Sequence, residues 1–161
     1  MKKSQSLTIS PKWEEIEMVR NKGSQFFIQN VIPDDVVHAG TMVVSELLEN
    51  SIKYGDFSDR KKRIDVNISI DNHTIIVEVS NPVGEMAYQH LKILDKKIQW
   101  IRGFQDPFEA YTDTLKEVSR KPLSDEKSGL GLVRIAYEGE AILDFFVSDE
   151  DILNVSAILD Y

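Results

Sequence analysis

Glu46, Asn50 and Lys53 stand four and then three residues apart. On a helix, at ~100° per residue, that spacing sends the three side chains out within ~60° of one another. Val44, Leu48 and Ile52 project from the opposite side, so one face packs while the other carries an acid, an amide and an amine in a column. An amide oxygen suits a hard cation such as Mg²⁺, which takes oxygen ligands and keeps waters beside substrate phosphates. A lysine one turn on can meet phosphate charge. A carboxylate one turn back can accept a proton from an attacking hydroxyl or water. A plain solvated helix face would show the same spacing, so the trio alone leaves both readings open.

Two further stretches carry chemistry. Ser80-Asn81-Pro82-Val83-Gly84 ends an apolar alternation, and a polar side chain at a strand end can meet the edge of a base. Asn-Pro can equally make a simple turn. Lys127-Ser128-Gly129-Leu130-Gly131-Leu132 precedes a helical pattern. Glycines at spacing two let backbone N–H groups approach an anion at a helix N-terminus. A tight turn would also ask for them.

The elements that must position these residues follow from periodicity. Leu7 to Ser10 reads as a short strand stopped by Pro11, and residues 12–30 as a helix with Trp13, Ile16, Val19, Phe26 and Phe27 in a loose stripe. Pro33, Asp34 and Asp35 mark a second helix start, with its stop at Gly55. Ile64, Val66, Ile68 and Ile70, then Ile75, Val77 and Val79, alternate around Asp71-Asn72-His73, which predicts a β-hairpin with one buried face. Residues 85–126 read as mostly helical, with Asp106 as N-cap and Pro107 in the first helical position of the second half. A segment that long between sheet elements is often a lid; an ordinary helical layer is the other reading. A helix from 132 and strands near 141–147 and 152–159 close the chain. Hairpins alternating with helices predict an α+β two-layer sandwich, a mixed or antiparallel sheet with helices on one face.

Composition bounds the rest. The 161 residues fit one domain, 42% apolar and 29% charged. A net charge of −8 argues against broad phosphate binding on nucleic acid and against docking on an anionic membrane. No apolar run approaches the ~20 residues of a membrane helix, and no apolar stretch follows the charged N-terminus, so a cytoplasmic protein without a secretory signal is expected. The absence of cysteine excludes disulfides, thiolate metal sites and a Cys nucleophile. His38, His73 and His90 show no zinc-ligand spacing.

Taken in order, Glu-x-x-x-Asn-x-x-Lys, then a strand ending Asn-Pro-x-Gly, then a helical insert, then Ser-Gly-Leu-Gly-Leu resembles the GHKL (Bergerat-fold, histidine-kinase-like) ATPases over about residues 34–160. The three blocks look like that family's N, G1 and G2 boxes. An initial strand and one helix before the N box look like the stand-alone anti-sigma-factor serine/threonine kinases; a sensor kinase would need a dimerisation helix upstream. The resemblance implies that Glu46 activates the attacking hydroxyl, Asn50 holds Mg²⁺ and contacts ATP, and Lys53 contacts phosphates. It implies that Asn81 sits at the adenine position, that Gly129 and Gly131 cradle the phosphates, and that Gly84, Lys127, Ser128 and Leu130 also belong to the ATP site. It also implies transfer of the γ-phosphate of ATP to a hydroxyl of a STAS-like antagonist in a bacterial partner-switching pathway. A homodimer interface would then be sought on the first strand and helix.

The sequence departs from the family pattern. The G1 aspartate's place falls to Asn81, or to Ser80 if the count shifts by one; Asn accepts a hydrogen bond without the charge. Pro82 or Val83 replaces the first G1 glycine and Lys127 the first G2 glycine, and the 85–126 insert is longer than the usual lid. The alternative is therefore a catalytically weak Bergerat-fold module that binds a sigma factor or antagonist. An ATPase without a protein substrate ranks below both.

Overall fold

The computed structural model describes residues 1–85, 87–120 and 130–161. The chain runs β1 (Lys3–Ile9), α1 (Glu14–Gln29), α2 (Asp34–Tyr54), β2 (Ile64–Asp71), β3 (Thr74–Pro82), α3 (Ala87–Arg102), α4 (Pro107–Arg120), α5 (Leu130–Tyr137), β4 (Ile142–Val147) and β5 (Ile152–Asp160). The strands form one open sheet in the order β1-β2-β3-β5-β4, every pair antiparallel. It is an α+β fold, as the alternation of hairpins and helices predicts, with the antiparallel option realised throughout.

Alternation decides the faces, because successive strand residues point to opposite sides. Ile64, Val66, Ile68 and Ile70 of β2, Ile75, Val77 and Val79 of β3, and Val155, Ala157 and Leu159 of β5 are all buried. They form one layer of the core with Val19 and Phe27 of α1 and Val43, Val44, Leu47 and Leu48 of α2. The opposite sheet face carries Thr8, Asp65, Asn67 and Glu78, linked by cross-strand bonds such as Thr8 Oγ1 to Asp65 Oδ1 at 2.6 Å. β1 extends four residues before the apolar alternation begins, since its ladder pairs Lys3 with Ile70 and Ile9 with Ile64. Its polar start is carried by β2's hydrogen bonds rather than by burial.

Several local expectations take particular forms. The β2–β3 turn places Asn72 at φ 55°, the left-handed region Asn tolerates. Asp106 caps α4, its Oδ1 accepting from the Phe108 N–H at 2.9 Å. Trp13 is a correction: it lies just before α1 and is half exposed, while Ile16, Val19, Gly23 and Phe27 form the buried stripe. Gly55 does end α2, but with φ −71° and ψ 156° rather than in a left-handed cap. Glycine is required there by space, because a Cβ would sit 2.7 Å from the Ser51 carbonyl and closer still to the Phe57 ring. Among the described residues no helix is long and apolar enough to cross a membrane.

Candidate functional site

α2 carries the candidate column along the edge of its buried face. Its buried arc comprises Val37, Gly40, Val43, Val44, Leu47, Leu48 and Ser51, so the packed face is centred closer to the column than Val44, Leu48 and Ile52 alone would put it; Ile52 is only partly buried. The rotation leaves Glu46 and Asn50 half-buried and Lys53 exposed. Among the described residues the Asn50 amide has no hydrogen-bond partner.

Glu46 is held from the far side of the sequence. Nη1 of Arg134, on α5, lies 2.6 Å from Glu46 Oε1, and the glutamate side chain is only 13% exposed. Burial pushes the Glu46 carboxyl up from its ordinary value; Arg134 pulls it back, Glu49 and Glu138 push it up further, and Lys53 pulls it down. Its second oxygen, Oε2, faces Gly131 in the first turn of α5, so closely that a Cβ there would overlap it. A side chain at 131 would therefore have to displace the Glu46 carboxylate. Leu130 opens α5 beside it, half-buried.

At the end of β3 the pleat decides between Ser80 and Asn81. Asn81 points to the helix side and is buried, whereas Ser80 points outward and its Oγ accepts from Asn154 Nδ2 at 2.7 Å. Ser51 Oγ donates to Asn81 Oδ1 at 2.8 Å, and Asn81 Nδ2 donates to the Pro82 carbonyl at 3.1 Å. The candidate helix and the candidate strand end are therefore pinned together by a buried polar pair. Gly84 faces Asp56: a Cβ at 84 would come 2.8 Å from Asp56 Oδ2. The Ser58 backbone N–H, with its hydroxyl and then Lys62 at 3.3 Å, holds the Asp56 carboxyl below its ordinary value. Asp56, Lys62 and Gly84 border a recess of about 540 Å³ that does not include Glu46, Asn50 or Asn81.

The structure thus brings Glu46 to Gly131, and α2 to Asn81. Gly84 lies beside Asp56, just past the end of α2. Lys127, Ser128 and Gly129 lie outside the described residues. Two contributors escape a reading by motif: Arg134, and Ser51. The signal for Arg134 is faint, a lone arginine four residues before Glu138, with which it pairs at 3.1 Å. Ser51 lies inside the first motif, but only its buried side reveals it. Among the described residues no group of three or more His, Asp or Glu could hold a metal ion.

The architecture has a counterpart among solved structures. A chain of the crystal structure of the SiaB–SiaC complex from Pseudomonas aeruginosa shares this fold. The two superpose with a TM-score of 0.74 at 18% identity, over 96% of this chain and 88% of that one. At that identity the likeness is one of fold. No family model matches the chain, and no curated protein does.

Proposed function

We propose that the chain is an ATP-dependent serine/threonine protein kinase of the anti-sigma-factor type within the GHKL class, acting on a STAS-like antagonist in a partner-switching pathway. The observation that carries this reading is the convergence on one side of α2: the Glu46 carboxylate facing glycine at the start of α5, with the Asn50 amide one turn along. Close approach at Gly131 suits a phosphate cradle at a helix N-terminus. Asn50 would hold Mg²⁺ through its amide oxygen, a donor that suits a hard cation kept beside phosphates and waters. Bound there, Mg²⁺ would neutralise triphosphate charge. Lys53 would add positive charge and Gly131 a backbone N–H; Lys127, Ser128, Gly129 and Leu130 would be the other ATP-binding residues. Asn81 would meet the adenine edge, with Gly84 beyond it.

The chemistry asks little of the protein beyond positioning and charge neutralisation. The acceptor hydroxyl oxygen forms the new bond to the γ-phosphorus. The bond from that phosphorus to the β,γ-bridging oxygen breaks, ADP leaves, and the hydroxyl proton passes to Glu46. That the structural neighbour was solved as a complex of two proteins supports a protein partner. A homodimer through β1 and α1 and a cytoplasmic setting belong to the same proposal, as does a lid role for α3 and α4.

A second reading has its own observation. Asn81 spends its oxygen on Ser51 and one N–H on Pro82, which leaves less of the amide to read a base. A regulatory module that binds a sigma factor or antagonist without turnover would tolerate that. Calorimetric titration with Mg-ATP separates the two. The kinase reading expects binding by the wild type and loss of the Mg²⁺-dependent part in Asn50→Ala; no heat up to millimolar ATP would leave the binding module.

A further inference from the structure

Arg134 joins two helices through two carboxylates. Its Nη2 and Nε lie 3.1 and 3.3 Å from Glu138 Oε2, just past the end of α5, while Nη1 crosses to Glu46 on α2. The pairing with Glu138 sets the side chain along its own helix, and the remaining arm of the planar fork reaches over. The groups facing this junction are Glu46, Glu49 and Lys53 of α2, Arg134 of α5, Glu138 just after it, and Tyr111 of α4. Tyr111 also packs against Tyr137, ring centroids 5.1 Å apart, which sets α4 against the end of α5.

A surface ion pair would contribute little, about 0–1 kcal/mol. This one differs because its acid end is largely buried and its acid is the candidate base. One glutamate oxygen is taken by the guanidinium, and the other is turned to the start of α5. A glutamate has three side-chain torsions, and a base must stay within hydrogen-bond reach of the proton it takes.

We propose that Arg134 is a positioning residue, holding the Glu46 carboxylate by Oε1 so that Oε2 faces the first turn of α5, where it meets the attacking hydroxyl. The inference rests on the kinase reading for the identity of that hydroxyl. It names a guanidinium outside all three sequence blocks as part of the working site. Arg134 touches neither nucleotide nor acceptor; it acts through Glu46.

The test uses the full chain and two variants, Arg134→Met, which keeps the bulk and removes the charge, and Arg134→Lys, which keeps one cationic donor. The side-chain carboxyl ¹³C resonance of Glu46, assigned with Glu46→Gln, reads the positioning without any turnover. It should move in Arg134→Met and stay close to wild type in Arg134→Lys. ADP formation from Mg-ATP with water as acceptor reads the consequence: kcat at least tenfold lower in Arg134→Met at a KM within twofold, with recovery in Arg134→Lys. An unmoved resonance in Arg134→Met overturns the inference whatever the nucleotide data say. So does an equal kcat, or loss of Mg-ATP binding in that variant, which would make Arg134 a binding group. If the resonance moves in Arg134→Met but the wild type neither binds Mg-ATP nor forms ADP, the kinase reading fails and the working role of Arg134 fails with it, leaving a structural pair; the calorimetric arm tells that failure from the first.

Discussion

Replacing Ser51 by alanine tests whether the buried polar pair fastens the candidate helix to the candidate strand end. Ser51 and Asn81 are 5% and 2% exposed, and the bond between them is 2.8 Å. Both residues are buried, so Ser51→Ala leaves a desolvated oxygen without its donor. That costs about 1–3 kcal/mol, more than the net worth of the bond itself. For a chain of this size about 2 kcal/mol lowers the melting temperature by roughly 4–8 °C. The double variant Ser51→Ala with Asn81→Leu removes both polar partners. Asn81 Nδ2 is lost with it, but its acceptor, the Pro82 carbonyl, keeps the Asp56 N–H at 2.8 Å. No buried group is then orphaned, and the double variant should recover most of the loss. Urea titrations of the wild type and both variants at one pH give the three free energies. A Ser51→Ala loss under about 0.5 kcal/mol, or a double variant less stable than the single, would refute the argument.

Gly131→Ala should separate stability from function. Alanine gains up to about 1 kcal/mol of helix preference over glycine, yet its Cβ must displace Glu46 Oε2, which Arg134 resists; thermal melts should change by a few degrees at most while ADP formation falls at least tenfold. The Glu46 carboxyl also makes a prediction in pH. Because burial raises it in the folded state, the folded chain binds more protons than the unfolded one above the ordinary carboxylate value. Its contribution is therefore fully present below that value and is lost as pH rises through the higher folded value. Glu46→Gln should flatten the stability–pH curve in the window starting at about pH 4, and an unchanged slope in matched urea titrations would count against the burial effect.

What the sequence determined by itself is local. A period of two places β2, β3 and β5, a period near 3.6 places α1 and α2, and Asp106-Pro107 starts α4 where the capping chemistry puts it, because each depends on neighbours within a turn or a strand. The column Glu46, Asn50 and Lys53 was legible for the same reason. The tertiary structure decided everything that depends on distant partners. It set the strand order, with β4 outside β5, and the long polar start of β1, which only its ladder with β2 explains. It chose Asn81 over Ser80 for the inner face, since the pleat fixes which of two adjacent residues turns inward once the sheet has a covered side. It also joined residues far apart in the chain: Ser51 to Asn81 across 30 positions, and Arg134 to Glu46 across 88. No spacing rule reaches that far. The meeting of Arg134 with Glu46 follows from two helices packing on one sheet, and a one-dimensional pattern carries no record of which helices will be neighbours.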